Sequence, residues 1–329
     1  MEAMTAPLRV GLVGAGMVAA HHVAAWAACP SARLVGVADP DIARAHARAP
    51  DGARAFKSLA EMIAACEPDA VDIASPPPTH AALIAEAQAA GLHVLCQKPL
   101  APDAKTARAI EAALRPASRV MLHENWRWRP PYQALKQALE AGLVPRPARV
   151  AFEVASAGLL PDAEGRLPAL VRQPFMARLP RLLVFELMIH HLDVLRFLFG
   201  EIEILSARLA RRCDAVAGED RAEIALTAGG VAVTLAGDLA RPGAPPLPRD
   251  RLWMDGTLRV DGWRLALPGA PTRSWEHVEG YQTSYDATIA HFVTALAQDL
   301  PFATTVADGR TLLELVDEVY RIAAWTGAR

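Results

Sequence analysis

Nothing in this sequence approaches 18 uninterrupted apolar residues, so no segment is expected to cross a membrane as a helix. No long block of like charge appears either: 34 Lys and Arg stand against 36 Asp and Glu, a formal net charge of -2 at pH 7. Neither a nucleic-acid backbone nor an anionic membrane surface would meet a complementary field, and neither is expected as a partner. Cysteine is scarce. Cys29, Cys66, Cys96 and Cys213 lie 30 or more residues apart, with no CxxC and no close His/Cys cluster. That spacing excludes a disulfide framework, offers no metal site, and leads us to expect reduced, mostly buried thiols. The first residues, Met-Glu-Ala-Met-Thr-Ala-Pro, lack the basic flank and apolar core of a secretory signal, which points to the cytoplasm.

What is present is core-forming material on the scale of two domains: 329 residues, 52% hydrophobic and 21% charged. Through the first 125 residues short apolar runs alternate with alanine-rich helical stretches, as a parallel sheet covered by helices on both faces demands. Strands are predicted at Leu8 to Val13, Arg33 to Ala38, Ala70 to Ala74, His93 to Cys96 and Arg119 to His123, with helices such as Thr79 to Ala90 and Asp103 to Leu114 between them. A helix over Tyr132 to Ala141 precedes "VPRPARV", where Pro145 and Pro147 break the pattern. Strands then dominate from Arg149 to Leu267, interrupted by a long apolar helix over Leu182 to Phe199. Two helices, Ser284 to Gln298 and Gly309 to Trp325, close the chain. The division expected is residues 1–125 and 126–329.

The chemistry is most legible at "RVGLVGAGMVAAHHVAAW": a strand, then Gly14-x-Gly16-x-x-Ala19, then a helix, with Asp39 ending the next strand 20 residues after Ala19. Gly14 permits the tight turn, Gly16 removes the Cβ that would block a pyrophosphate, and Ala19 lets helix and strand pack closely. Met17 and Val18 open a helix whose unsatisfied N–H groups and positive dipole end suit phosphates. Asp39 would accept hydrogen bonds from the ribose hydroxyls and repel a 2′-phosphate, so NAD is expected over NADP, with Arg44 tempering the preference. The plainer reading is a glycine-rich turn in some other α/β protein.

Strand ends elsewhere in the region carry further candidates. "DAVDIASPPPTH" and "HVLCQKP" end on the side where such sheets bind ligands, which brings Ser75, Pro76, His80, Gln97 and Lys98 to the cofactor edge. Pro99 biases Lys98 away from helical angles, aiming a side chain whose ammonium can stabilise negative charge on a substrate oxygen. A lysine snorkelling to solvent is the alternative. In "LLVFELMIHHLDVLRFLFG" the apolar residues point nearly all round, so this helix is expected to be buried between domains. Glu186, His190 and Asp193 share one face, and burying them costs several kcal/mol unless they are paired. His190 is a candidate general base and Glu186 an orienting carboxylate; the alternative for His190 is a satisfied core histidine. Asp193 is expected to serve an internal hydrogen bond, and His191, about 100° away, has no assigned role.

With these residues in hand the chain resembles the Gfo/Idh/MocA oxidoreductases over essentially its whole length. The likeness rests on the glycine-rich turn, "VDIASPPPTHAALIAEAQAAGLHVLCQKPLA", "HHLDVLRFLFGE" and "HFVTALAQDLPFATTVADGRTLLELVDEVY". It implies an α/β protein: an N-terminal Rossmann domain with a doubly wound parallel sheet, then an α/β domain with a largely antiparallel open sheet through which the chain forms a homodimer or homotetramer. It also implies reversible oxidation of a sugar or polyol hydroxyl with NAD(P). Lys98 matches the lysine of the family's Glu-Lys-Pro motif and His190 the histidine of its Asp-x-x-x-His pair. Gln97 replaces the family's glutamate, Glu186 its aspartate, and "RQPFMARLPRLLV" its Gly-Gly run. "HENWRWRPPY" follows the last strand of the first domain, so Asn125, Trp126 and Arg127 are candidates to line the sugar pocket, with Asn125 also a cofactor contact and Arg178 and Tyr285 further substrate contacts beside Lys98, Glu186 and His190; a core-capping Trp pair is the alternative. Arg166, Arg172, Arg178 and Arg181 lie in a segment expected to cover the cleft, where they would clamp a carboxylate or stay solvated. "FMARLPRLLVFELMIHHLDVLRFLFG" is similar to a subgroup that includes D-apiose dehydrogenases. Two other functions fit the same fold, a redox-assisted glycosidase and a non-catalytic NAD-binding regulator.

Overall fold

The computed structural model describes residues 6–327. In chain order the elements are β1 (Leu8–Val13), α1 (Ala19–Ala27), β2 (Ala32–Ala38), α2 (Ile42–Arg48), β3 (Arg54–Phe56), α3 (Leu59–Cys66), β4 (Ala70–Ile73), α4 (His80–Ala89), β5 (His93–Gln97), α5 (Ala104–Ala112), β6 (Val120–His123) and α6 (Pro130–Glu140). There follow β7 (Arg149–Ala155), α7 (Pro168–Arg172), α8 (Ile189–Phe199), β8 (Ile202–Ala210), β9 (Arg221–Ala228), β10 (Val231–Asp238), β11 (Arg249–Met254), β12 (Thr257–Asp261), β13 (Arg264–Leu265), β14 (Arg273–Ser274), α9 (His277–Ala297) and α10 (Val306–Ile322). They form two compact units, Met1–Trp128 with Tyr281–Leu313, and Arg129–Gly280 with Glu314–Arg329.

In the first unit six strands run parallel in the order β3-β2-β1-β4-β5-β6. The order reverses between β1 and β4, so the connections leaving these two strands part and open a crevice at the carboxyl edge. The strands are apolar on both faces because helices cover both: Val10, Leu12, Ile73 and Leu95 are fully buried. Tyr285, Ile289, Phe292 and Val293, all in α9, join Trp26, Leu34 and Met121 in one core. Asp41, Ser58 and Asp103 cap α2, α3 and α5 through side-chain oxygens. No side chain caps α1.

The second unit is built on an eight-stranded sheet, β14-β13-β12-β11-β7-β10-β9-β8. Every pair is antiparallel except β7 with β10. Alternation along the strands gives one buried face, with Phe152, Val154, Ile224, Leu226, Leu235 and Leu252, against which α8 and the turn before it pack. Gly237 makes room for that packing: a Cβ would stand 2.7 Å from Met188 Sδ and 2.9 Å from Leu183 Cδ2, and those side-chain ends would have to shift. The four cysteines are free, Cys66 and Cys96 buried and Cys29 and Cys213 half-buried.

The structure differs from the sequence-based expectation in several elements. The long helix over Leu182 to Phe199 begins as a π-turn, Leu183–Met188, and only then becomes α8. Its first turn is held from outside: Glu219 accepts from the backbone N–H groups of Leu182 at 3.2 Å and Val184 at 2.9 Å, and the Leu183 N–H donates to Glu219 O. Strands β3, β12, β13 and β14, of three, five, two and two residues, were not predicted. Helix α9 starts at His277 rather than Ser284. Gly280, a breaker by propensity, is tolerated because a Cβ there would meet the Trp263 ring at 2.7 Å. Helix α10 starts earlier than Gly309 because Thr305 and Asp308 form a reciprocal cap.

Candidate functional site

The carboxyl edge of the parallel sheet collects the residues singled out in the first unit. Gly14 follows β1 with φ +97, and a Cβ on it would lie 2.7 Å from Ala74 O and 2.8 Å from Ser75 N, so only glycine lets β1 and β4 end this close together. Gly16 is different: a Cβ there would meet nothing within 4 Å. That open side, next to the uncapped start of α1, is the cradle a pyrophosphate requires. Asp39 follows β2. Its Oδ2 accepts from Ala15 N at 2.8 Å and its Oδ1 from Asp41 N at 2.9 Å, so the carboxylate braces the glycine turn while staying half-exposed, with lone pairs left for ribose hydroxyls. Met17 is 49% exposed beside the turn. These features fit a dinucleotide. Among the described residues no group of three or more His, Cys, Asp or Glu side chains is arranged to hold a metal ion.

The neighbouring strand ends contribute less directly. Ser75 and exposed Pro76 follow β4, and Ser75 Oγ bonds Thr79 Oγ1 at 2.6 Å. His80 is wholly buried, its ring nitrogens 2.8 Å from Ser75 O and 3.2 Å from Leu100 O; it braces the loops after β4 and β5. Burial pushes its pKa down, and the carbonyls of Ser75, Leu100 and Pro99 offset only part of that. Asn125 is buried after β6 and donates to Ser284 Oγ at 2.8 Å. Trp126 and Arg127 are buried in a short 3-10 turn, where Arg127 donates to Ala303 O at 2.7 Å. Tyr285 is 2% exposed and packs against His21, His22 and His123.

Lys98, half-buried, follows β5 on this same edge. Beneath it lies a polar chain that sequence reasoning missed. Gln97 Oε1 accepts from Lys98 N at 2.9 Å, and its Nε2 lies 3.0 Å from His22 Nε2 and 3.2 Å from His123 Nδ1. His22 Nδ1 and Trp26 Nε1 each lie 2.7 Å from Asp72 Oδ2. One signal could have revealed it: an aspartate inside the apolar strand "AVDIA", with His22 and Trp26 four residues apart on one helix.

In the second unit Glu186 is half-buried within the π-turn, and His190, 6% exposed, lies in the first turn of α8. Asp193 is fully buried. His191, given no role from sequence, anchors a second buried cluster: its Nε2 is 3.0 Å from Asp250 Oδ1, while Tyr132 and Arg129 donate to Asp250 Oδ2 at 2.7 and 3.2 Å. Burial alone would raise the Asp250 carboxyl; His191, Arg129 and the Tyr132 hydroxyl more than offset it and hold it below the usual range. The arginines of the 158–181 segment divide. Arg166 pairs with Asp162 and Glu164, and Arg181 with Asp317, so these two are committed within the chain. Arg178 is exposed at the end of a 3-10 turn.

Comparison with known proteins agrees with this reading of the first unit. Residues 8–125 match the Gfo/Idh/MocA family model, described as an oxidoreductase family with an NAD-binding Rossmann fold. A D-apiose dehydrogenase of Paraburkholderia graminis is 33% identical over 94% of this chain and 86% of its own. Another D-apiose dehydrogenase, from Rhizobium rhizogenes, is 28% identical over 96% of this chain and 95% of its own. The crystal structure of an oxidoreductase from Agrobacterium radiobacter in complex with NAD+, L-tartaric acid and magnesium superposes with TM-score 0.85 and 28% identity, covering 98% of this chain and 97% of that one. A turn that only glycine can make, a helix start left open to phosphate and an end-to-end likeness to such enzymes converge: the chain belongs to the Gfo/Idh/MocA family of NAD-binding oxidoreductases.

Proposed function

We propose that the protein is a dehydrogenase that oxidises a hydroxyl of a sugar, polyol or sugar-derived acid with NAD, an aldopentose such as D-apiose being the first substrate to test. The observation that carries this reading is the shared edge: Lys98 follows β5 on the same carboxyl edge of the parallel sheet as the Gly14–Gly16 turn after β1, with β4 between the two strands. The two D-apiose dehydrogenases among the relatives support the choice of sugar. When bound, NAD would supply the acceptor for the hydride that leaves the carbinol carbon. His190 takes the hydroxyl proton as that hydride departs, so the C–O bond becomes a carbonyl. Lys98 stabilises the charge that develops on the oxygen, and Glu186 orients the pair. Gly14, Gly16, Met17, Val18, Asp39, Ser75, Pro76 and Asn125 form the cofactor site, with His80 and Gln97 shaping it. Trp126, Arg127, Arg178 and Tyr285 belong to the substrate site.

On this reading residues 1–125 form the dinucleotide-binding domain, with part of the closing helices packed back on it, and 126–329 the substrate-binding and oligomerisation domain of a cytoplasmic homodimer or homotetramer. Lys98→Met and His190→Ala are each expected to lower turnover by about 10²–10⁴-fold with NAD affinity retained. Steady-state kinetics beside an NAD binding titration checks this. Near-normal rates in either variant would remove that residue from the chemistry.

A further inference from the structure

The protons of the buried chain under Lys98 follow from its ends. Lys98 N–H can only donate, so the atom 2.9 Å from it is Gln97 Oε1 and not the amide nitrogen. Gln97 Nε2 then has two hydrogens to give, and the atoms 3.0 and 3.2 Å away are His22 Nε2 and His123 Nδ1. Both imidazole nitrogens therefore accept, and neither carries a proton. The His22 proton must stand on Nδ1, 2.7 Å from Asp72 Oδ2, and Trp26 Nε1, a donor only, serves the same oxygen at 2.7 Å. From Lys98 to Asp72 the hydrogen bonds therefore donate in a single consistent direction, from the Lys98 N–H through Gln97 and His22 to the Asp72 carboxylate.

Its members come from four elements: His22 and Trp26 from α1, Asp72 from β4, Gln97 from β5 and His123 from β6. Asp72, His22 and His123 are 0% exposed. A carboxylate that deep in the sheet costs several kcal/mol unless donors surround it, and an aliphatic residue would fill the strand without that penalty. A staple fixing α1 to the sheet would account for Trp26, His22 and Asp72. It does not account for Gln97, which carries the connection past the last β5–β6 pair, Gln97 with His123, to the first N–H that the ladder no longer serves.

We propose that Asp72, His22 and Gln97 are positioning residues that hold the Lys98 backbone in one orientation and thereby aim its ammonium. The proposal rests on the reading that Lys98 acts on the substrate. Being buried, Asp72 and His22 act through Gln97, and a displacement of about 1 Å at Lys98 is enough to cost about 10²-fold in rate.

His22→Leu is the test, measured in the full chain with D-apiose and NAD and, without substrate, by hydrogen exchange at the Lys98 amide. Expected are a kcat lowered about 10- to 100-fold with little change in KM for D-apiose, and a Lys98 amide that exchanges faster than in the parent. Because His22 works through Lys98, the double variant His22→Leu/Lys98→Met should be no slower than Lys98→Met alone. Losses that multiply in the double variant, or an equally protected Lys98 amide in His22→Leu, overturn the proposal. Near-parent turnover in Lys98→Met would instead sink the reading of Lys98, and the exchange measurement still decides the positioning claim. It does so too if D-apiose is not turned over. Should His22→Leu fail to fold, Gln97→Met, similar in length but without the amide, carries the same expectations.

Discussion

Gly14 and Gly16 stand two residues apart and should fail differently when each is changed to alanine. At Gly14 the backbone is left-handed and the added carbon meets Ala74 O at 2.7 Å, so Gly14→Ala should lower stability by about 1–3 kcal/mol and damage the turn itself. At Gly16 the carbon meets no protein atom, so Gly16→Ala should melt as the parent does and lose NAD affinity. Thermal melts and fluorescence titrations of the two variants separate these effects; an unchanged NAD affinity in Gly16→Ala would contradict the cradle. Both glycines were legible because their signal is local, a turn between one strand and the next helix. The partnership of His22 with Asp72 was not, since its members are 50 residues apart and each looks like an ordinary position in its own element. Gln97 lies between these cases. Its hydrogen-bonding capacity was expected to serve the cofactor, and the structure shows where its amide goes: Lys98, His22 and His123.

At the level of elements, the five strands predicted in the first unit were readable to within one residue at each end, because each is a short apolar run bounded by turn residues. What was missed depends on partners elsewhere. The π-turn before α8 depends on Glu219, which binds its first N–H groups and accepts a hydrogen bond from the Tyr320 hydroxyl of α10. Burial raises the Glu219 carboxyl, with the Tyr320 and backbone donors offsetting part of that rise. Glu219→Gln puts an NH2 where a second acceptor is needed, and should cost about 2 kcal/mol in denaturant unfolding. A smaller loss than about 0.5 kcal/mol would mean that the turn holds without its external cap. The Thr305–Asp308 cap of α10 was missed although its signal, "TVAD", is local, whereas the early start of α9 required knowing that Trp263 packs on Gly280.

For the whole molecule, the titrating groups set an acid limit. Burial lowers His80, His93, His277 and His291 below the ordinary histidine value. A histidine whose folded pKa is depressed leaves the unfolded chain binding more protons below about pH 6.5, so stability falls as pH drops through that region. Asp250, also depressed, adds a loss at lower pH as its carboxylate is protonated, while the raised Glu219 works in the opposite sense. Melting temperature should therefore decline below about pH 6.5, and His80→Gln should flatten the decline; equal slopes in parent and variant would remove His80 from the cause.

The central claim, hydride transfer from a sugar hydroxyl to NAD, is tested most directly by absorbance at the reduced-nicotinamide band. A panel of aldoses, polyols and sugar acids, D-apiose among them, would be offered with NAD and with NADP. The account predicts one NADH formed per molecule of substrate oxidised, with NAD preferred because Asp39 repels a 2′-phosphate. No absorbance change with any member of the panel, or a glycoside cleaved without net NADH, would contradict it.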